Sequence, residues 1–557
     1  MLVSGPSSSA APSRPGAIPE RQDTAYPDEL VFAFVYAVGT QSDPIVEFLE
    51  NELEQWGYWC EPIKISEFFP AYVKRLNLPI VLRDDPFDER VRTRMDAGNQ
   101  ICDKTKQVDF LALLTVFEIN RRRKIAVGDG PRRKVAYIIT SLKRPEEVAL
   151  LRQTYGPGFF LIGVYAPEQE RLMHLQTQKS VEEERARALL RDDQSEKTFS
   201  DYGQNTRDTY ALADVFIQQD QNIYKEQLAR FIDLIFANPF ITPELDEYSM
   251  FLAYTAALRS GDLSRQVGAA ICTAAGDIVA LGCNDVPKYG GGLYWPGDAD
   301  QRDHVRGSDS NEKRRDEIIR EVKGVIRNDS ETTLDTVREI LRNSTLWEDP
   351  EIKRVLTERD DIVAALAKLL RNPEVVSLET AKDLLRDTPL FTLTEFGRTV
   401  HAEMDTLLTC ARNGQPTAGT TLYTTTFPCH NCTRHIVTAG ISRVVYVEPY
   451  PKSLAFQLHY DSISLAEKGW SRPVKHGCRT KVTFEPFVGV GPRRFYDVFS
   501  LTLGAGREIK RKEKRKGGEK YKWKRGAERP RVPMDPTSYL DREKRAALKV
   551  DQTLESL

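Results

Sequence analysis

His401-Ala402-Glu403 and Leu422-Tyr423-Thr424-Thr425-Thr426-Phe427-Pro428-Cys429-His430-Asn431-Cys432 are the stretches whose reading decides the fold of this chain's second half. Leu422 to Thr426 is β-branched and predicts a strand ending at Phe427-Pro428. Cys429 and Cys432 then fall on the first turn of a helix running to about Ala439, stopped by Gly440. Arg443-Val444-Val445-Tyr446-Val447 reads as the next strand, and His401 opens another helix that runs to Ala411 before Asn413-Gly414. Two helix N-termini facing one point suit negatively charged ligands, because their exposed N–H groups favour anions.

Each residue type in these stretches has a chemical use. One imidazole, His401, and two thiolates, Cys429 and Cys432, make a three-ligand zinc site with an open fourth position. Water at such a position becomes hydroxide near neutral pH. Glu403 lies two residues from the first ligand and is placed as a general acid/base. A Cys-x-x-Cys pair also occurs in redox sites and structural zinc knuckles. A structural zinc site is closed by four protein ligands, and the second half of a knuckle is missing. His430 and His435 lie nearby, but His430 sits between the two cysteines and is poorly aimed at the same ion. Zn2+ is therefore the expected cofactor. The pattern H-x-E…P-C-x-x-C resembles the signature of the zinc-dependent nucleobase deaminases.

Outward from the motif, the segment 236–500 reads as one zinc-carrying domain. A helix is expected from about Pro243 to Ser260, then a strand Gln266–Cys272, a turn at Gly276-Asp277 and a partner strand Ile278–Asn284. Between Asn284 and His401 lies an insert, about 288–395, Gly-rich at first and then charged and helical. Residues 29–235 have a different pattern. Leu30 to Val38 is a continuous apolar run, the mark of a strand buried on both faces of a parallel sheet. Gly39-Thr40-Gln41-Ser42-Asp43 follows, and Pro44 opens an amphipathic helix to about Trp56. Further strands are expected at 59–65, 109–117, 135–140, 159–165 and 213–217, which argues a doubly wound α/β domain. Its first loop, with Gly39 and Thr40, stands where phosphate is bound in many such folds. It lacks the second Gly and the Lys of a P-loop.

The 557-residue chain has a formal net charge of −2, so it is not as a whole an electrostatic nucleic-acid binder. Its eight cysteines are scattered apart from the 429/432 pair, which points to a reducing, cytoplasmic compartment. No run of about 18 apolar residues predicts a membrane span. Residues 1–28, rich in Ser, Pro and Ala and without a signal-peptide core, are expected to be disordered. From 501 to 557 a basic tail is expected: residues 507–531 hold 13 Lys/Arg against four Glu, a local net charge of +9. Tyr521 and Trp523 are interleaved with lysines there, which would let the tail hold phosphate backbones and stack bases, or simply act as a solvated tail.

The second half is similar to the deoxycytidylate deaminases. The likeness rests on Ser264-Arg265-Gln266-Val267-Gly268-Ala269, Gly282-Cys283-Asn284-Asp285-Val286-Pro287, His401-Ala402-Glu403 and Pro428-Cys429-His430-Asn431-Cys432. Val38-Gly39-Thr40, Ser141-Leu142-Lys143-Arg144-Pro145-Glu146-Glu147 and Tyr450-Pro451-Lys452-Ser453 extend the resemblance to two-domain antiphage deoxycytidine-nucleotide deaminases. The resemblance implies an N-terminal P-loop kinase-like doubly wound domain with a degenerate loop and a C-terminal cytidine-deaminase-like α/β/α domain. It implies zinc on His401, Cys429 and Cys432, acid/base work by Glu403, and substrate contacts from Ser264, Arg265, Asn284 and Lys452. The implied reaction converts dCMP, dCTP or both to uracil nucleotides and depletes dCTP during infection. A second nucleotide at Gly39 and Thr40 and assembly into a homo-oligomer are further expectations. Two other readings stay open on the residues: a polynucleotide cytidine or adenosine deaminase using the basic tail, and a nucleotide sensor with an inert deaminase domain.

Overall fold

The computed structural model describes residues 29–194, 202–327, 396–450, 453–465, 481–503, 508–513, 519–532 and 535–557. The expected disordered segment 1–28 and the insert beyond 327, up to 395, lie outside the described residues. The described residues form a mixed α/β structure built on two six-stranded sheets.

The first sheet contains β1 (Glu29–Tyr36), β2 (Trp59–Lys64), β3 (Val135–Thr140), β4 (Phe159–Tyr165), β5 (Val215–Gln218) and β12 (Gly489–Val490). Its order is β12-β5-β4-β1-β3-β2, parallel throughout except for β12, which runs antiparallel to β5. The apolar run of β1 is buried on both faces. Phe32 and Phe34 face the helices Asp43–Gln55 and Gln221–Ile235; Val31, Ala33 and Val35 face the helix Phe110–Val127.

That last helix occupies the place where a strand at 109–117 is expected. A short apolar run does not distinguish a buried strand from a buried helix. The Leu111–Val116 stretch is apolar all round because it is covered twice, by the sheet beneath and by the C-terminal helix Pro536–Glu555 above.

The expected basic tail is also built into this layer. Trp523 Nε1 donates to the Phe236 carbonyl at 3.1 Å, and its ring lies 5.9 Å from that of Trp56. Arg525 pairs with Asp233 at 3.1 Å and with Glu52, and Arg531 donates to the carbonyls of Val498 and Ser500. The Tyr521 hydroxyl is bonded to Glu528 at 2.7 Å. The charge run suggests solvation because its acidic partners lie hundreds of residues earlier in the chain. In this arrangement the Trp523 ring packs against the protein and is no platform for a base.

The second sheet contains β6 (Gly268–Cys272), β7 (Ile278–Cys283), β8 (Thr421–Thr426), β9 (Arg443–Glu448), β10 (Ile463–Leu465) and β11 (Val482–Pro486), in the order β10-β11-β9-β8-β6-β7. β8, β9, β11 and β10 are parallel; β6 runs antiparallel to both β7 and β8. Alternation sorts the side chains. Ile271, Leu422 and Val444 pack with Leu407, Cys432 and Ile436 of the helices Ala402–Arg412 and His430–Thr438. Ala270, Tyr423 and Val445 point the other way, toward Met250 and Ala253 of the helix Leu245–Ala257. That second core runs on into the first sheet, where Phe216 meets Phe487 edge-on at 5.6 Å. No described helix is long and apolar enough to cross a membrane.

Candidate active site

Two helix N-termini meet at one end of the second sheet. His401 caps the helix Ala402–Arg412 from an extended backbone conformation, and Cys429 does the same for His430–Thr438. Its Sγ accepts the Cys432 amide at 3.5 Å. The helix after His401 lies close on β7 because position 282 is glycine. A Cβ there would stand 2.4 Å from Thr406 Oγ1, 2.7 Å from its amide nitrogen and 2.9 Å from the Ala402 carbonyl. Gly282→Val is therefore expected to push this helix outward, cost about 1–3 kcal/mol and weaken metal retention. Thermal unfolding and zinc content after dialysis check this; a variant matching the wild type in both removes the close approach from the argument.

His401 Nδ1 lies 3.3 Å from Cys429 Sγ and 3.3 Å from Cys432 Sγ. All three donor atoms fall within 4.8 Å of one another, and both cysteines are buried. Tetrahedral zinc with Zn–S near 2.3 Å and Zn–N near 2.0 Å spaces its ligands by roughly 3.4–3.8 Å. The donor set and its spacing therefore fit zinc. The protonation balance agrees. Cys429 is pulled down to about 4 by hydrogen bonding from Cys432 and by His401, which is itself raised to about 9 by its bond to Cys429. Cys432 is pushed upward by its bond to Cys429 and by burial. The pocket thus holds thiolate charge that a divalent cation would satisfy.

Glu403 sits beside the triad, 4% exposed, with Oε2 accepting from Cys432 Sγ at 3.5 Å. Burial raises its carboxyl pKa, and the attraction of His401 opposes that rise. His401, Glu403 and Cys429 line a cavity of about 280 Å³ together with Ser264, Arg265 and Asn284. Six of the sequence candidates thus share one wall, and Cys432 completes the triad beneath it. Lys452 lies outside the described residues. Gly39 and Thr40 line a different cavity, in the first sheet.

The contacts give these candidates distinct settings. Asn284 Oδ1 accepts the Val267 amide at 2.6 Å and its Nδ2 donates to the Arg265 carbonyl at 2.8 Å. Asn284 therefore fixes the backbone that carries Arg265. The Arg265 guanidinium is half-exposed, 3.4 Å from Glu448 Oε2 and 5.5 Å from the Tyr450 ring centroid. Ser264 Oγ donates to Asp309 Oδ2 at 3.4 Å.

The sequence reading missed Thr426, Glu448 and Tyr450. Thr426 Oγ1 donates to Glu448 Oε2 at 2.7 Å, so the last residues of β8 and β9 hold one carboxylate against Arg265. Their position is itself a signal, since ligands gather at the carboxyl ends of parallel strands. It also missed Asp309, Asn311 and Arg315, which come from the start of the insert and wall the same cavity.

Residues 243–448 match the family model described as the cytidine and deoxycytidylate deaminase zinc-binding region. Over 53 residues the chain is 47% identical to ComE operon protein 2 of Bacillus subtilis (strain 168), which covers 10% of this chain and 28% of that protein. It is 43% identical over 54 residues to the deoxycytidylate deaminase of Enterobacteria phage T2, covering 10% of this chain and 29% of that one. The matched stretches thus span less than a third of either relative. Among solved structures, the apo dCMP deaminase of cyanophage S-TIM5 aligns with 44% of this chain and 100% of its own, at 14% identity and a TM-score of 0.21. A gluconokinase from Sinorhizobium meliloti 1021 aligns with 37% of this chain and 91% of its own, at 14% identity and a TM-score of 0.20. The matched family region contains the whole His401, Cys429, Cys432 triad and Glu403, together with Ser264, Arg265 and Asn284.

Proposed function

We propose that the chain deaminates a cytosine deoxynucleotide, dCMP or dCTP, by hydrolysis. The observation that carries this is the His401, Cys429, Cys432 triad beside a buried Glu403 on the wall of a cavity that also holds an arginine. Bound to the triad, zinc would supply the Lewis acidity that makes hydroxide available near neutral pH. Glu403 takes one proton of the attacking water and delivers it to N3 of the ring, then takes the second from the hydroxyl left on C4 and delivers it to the departing amine. Oxygen bonds to C4, the C4–N4 bond breaks, and the products are a uracil nucleotide and ammonia. The enclosed setting of Glu403 keeps this proton from bulk water. Removal of dCTP from the pool in antiviral defence, and a kinase-like ancestry for the first sheet, belong to the same reading and rest on the sequence resemblance.

Arg265 is the phosphate contact in this scheme. Its guanidinium is already held toward the cavity by Glu448 and Tyr450, and a phosphate would compete with the Glu448 carboxylate for it. A charge-assisted hydrogen bond contributes about 1.5–3 kcal/mol. Arg265→Ala is thus expected to raise KM by roughly 10- to 100-fold, with a smaller effect on kcat. A variant with unchanged KM would remove Arg265 from the phosphate site.

The reading itself is tested by incubating zinc-loaded protein with dCMP, dCTP, CMP, CTP and a cytidine-rich oligonucleotide and resolving the products by chromatography. Conversion of a free deoxynucleotide supports it. Conversion of the oligonucleotide alone would move the activity to nucleic acid, and no conversion of any substrate by the zinc-loaded chain would overturn it.

A further inference from the structure

The zinc cavity, proposed to receive a nucleotide phosphate, is walled by two carboxylates, Asp262 and Asp309, beside Ser264 and Arg265. A bare carboxylate there would repel the phosphate. Both are instead engaged within the chain. Asp262 Oδ1 accepts the Ser264 amide at 2.8 Å and the Arg265 amide at 3.3 Å. This turn, built on an aspartate side chain, shapes the loop between the helix Leu245–Ala257 and β6. Asp262 Oδ2 accepts the Thr399 hydroxyl at 2.9 Å. Asp309 Oδ1 caps the helix Ser310–Arg327, accepting the Asn311 and Glu312 amides at 2.7 and 3.1 Å, and its Oδ2 accepts Ser264 Oγ at 3.4 Å. The two acids hold the wall together, and the bonds they accept offset their charge.

Burial does little to fix this loop. Leu263, Ser264, Arg265 and Gln266 are all exposed, so its shape depends on hydrogen bonds. Asn284 holds the Arg265 carbonyl, and Asp262 holds the amides of Ser264 and Arg265. Asp262 is held in turn by Thr399. The backbone on either side of Thr399 is itself fixed. Val400 exchanges two backbone bonds with Asp285, at 2.9 and 3.2 Å, just before His401. On the other side, the Arg398 amide donates to Ser310 Oγ at 3.1 Å, and the same hydroxyl donates to the Phe396 carbonyl at 3.1 Å. The Arg398 guanidinium pairs with Asp303 at 2.8 Å. One serine hydroxyl thus clasps the outgoing end of the insert to its returning end. One threonine hydroxyl then ties the returning end to the loop that carries Arg265.

We propose that Thr399 and Ser310 are positioning residues of the nucleotide site: through Asp262 they hold the loop that presents Ser264 and Arg265, and the two ends of the insert are parts of that site. The link to nucleotide affinity rests on the deamination reading; the support of the loop does not. The test is hydrogen exchange by mass spectrometry on the full zinc-loaded chain, with steady-state kinetics on dCMP and dCTP. Thr399→Val loses the bond to Asp262, and the Ser264 and Arg265 amides are expected to exchange roughly fivefold faster. KM is expected to rise roughly tenfold, the lower end for a hydrogen bond to a charged group. A change in kcat below about twofold is expected beside it. Zinc content should stay the same, because the Val400–Asp285 bonds still hold the backbone before His401. Thr399→Ser keeps the hydroxyl and is expected to return exchange and KM to near wild type. Ser310→Ala is expected to move both in the direction of Thr399→Val, by roughly threefold. Unchanged exchange in either Thr399→Val or Ser310→Ala overturns the role of the residue replaced, and faster exchange at an unchanged KM overturns the link to the nucleotide. A Thr399→Ser variant as altered as Thr399→Val would place the effect in packing, and loss of zinc would make Thr399 a support of His401; either result overturns the proposal. If the wild type converts no cytosine nucleotide, the deamination reading falls, and exchange in the loop alone upholds or overturns the clasp.

Discussion

Glu403→Gln is expected to lower turnover of a cytosine nucleotide by about 10³-fold, within the range ascribed to a positioned general acid/base, while zinc content stays at one per chain. The two halves of this result have different causes. Glutamine matches the volume of the buried carboxylate, so the contact beside Cys432 and the packing of the helix Ala402–Arg412 persist. None of the three candidate ligands is replaced, because the metal-ligand group among the described residues consists of His401, Cys429 and Cys432. The amide, however, can neither take a proton from the attacking water nor return one to the amine. Metal analysis by atomic absorption and a product assay on the same preparation read the two halves together. Wild-type turnover in the variant would route the proton through another group. Loss of zinc would make Glu403 part of the metal's support and leave its chemical role undemonstrated.

The parts of this arrangement that sequence makes visible are those whose logic is local. Cys429 and Cys432 are brought together by one helical turn, and His401 and Glu403 by another, so spacing alone suggests a common site. The strand and helix limits around them follow from β-branched runs, a proline and a glycine stop, and lie within a few residues of those expected. What depends on distant partners is not visible. Glu448 enters the cavity because β8 and β9 are neighbours in parallel register, with Thr426 opposite Glu448. Asp309, Asn311 and Arg315 enter because the described start of the insert, at and just before the helix Ser310–Arg327, lies along the cavity, which its charge pattern does not disclose. The Phe110–Val127 helix resembles a strand in sequence because its cover lies more than 400 residues later. The loop after β1 looks like a weak phosphate site until Asp193 is seen to occupy it.

That late cover is anchored by a buried charge cluster, and Arg123→Met is expected to cost about 3–5 kcal/mol, the range for removing one partner of a buried ion pair. Arg123 is 2% exposed and lies between two fully buried carboxylates. Its Nε and Nη2 meet Glu29 at 3.0 and 2.9 Å, and its Nη1 and Nη2 meet Glu543 of the C-terminal helix. The rings of Tyr137 and Tyr539 stack the guanidinium from 5.7 and 5.4 Å. Burial disfavours the arginine's charge, but the hydrogen bonds and attraction of Glu543 and Glu29 hold its pKa above the ordinary value. Burial raises that of Glu543, against the pull of Arg123. Methionine would fill the space and leave two carboxylates without their cation inside an apolar layer. The helix Pro536–Glu555 should then detach first, since Glu543 can reach water by leaving. Denaturant unfolding gives the stability loss, and limited proteolysis reads release of the C-terminus. A triple variant, Glu29→Gln/Arg123→Met/Glu543→Leu, should recover most of the loss because no charge remains to be compensated. Equal stability of Arg123→Met and wild type would mean that the cluster does not hold the C-terminal helix. A triple variant as weak as the single one would place the cost in packing instead of charge.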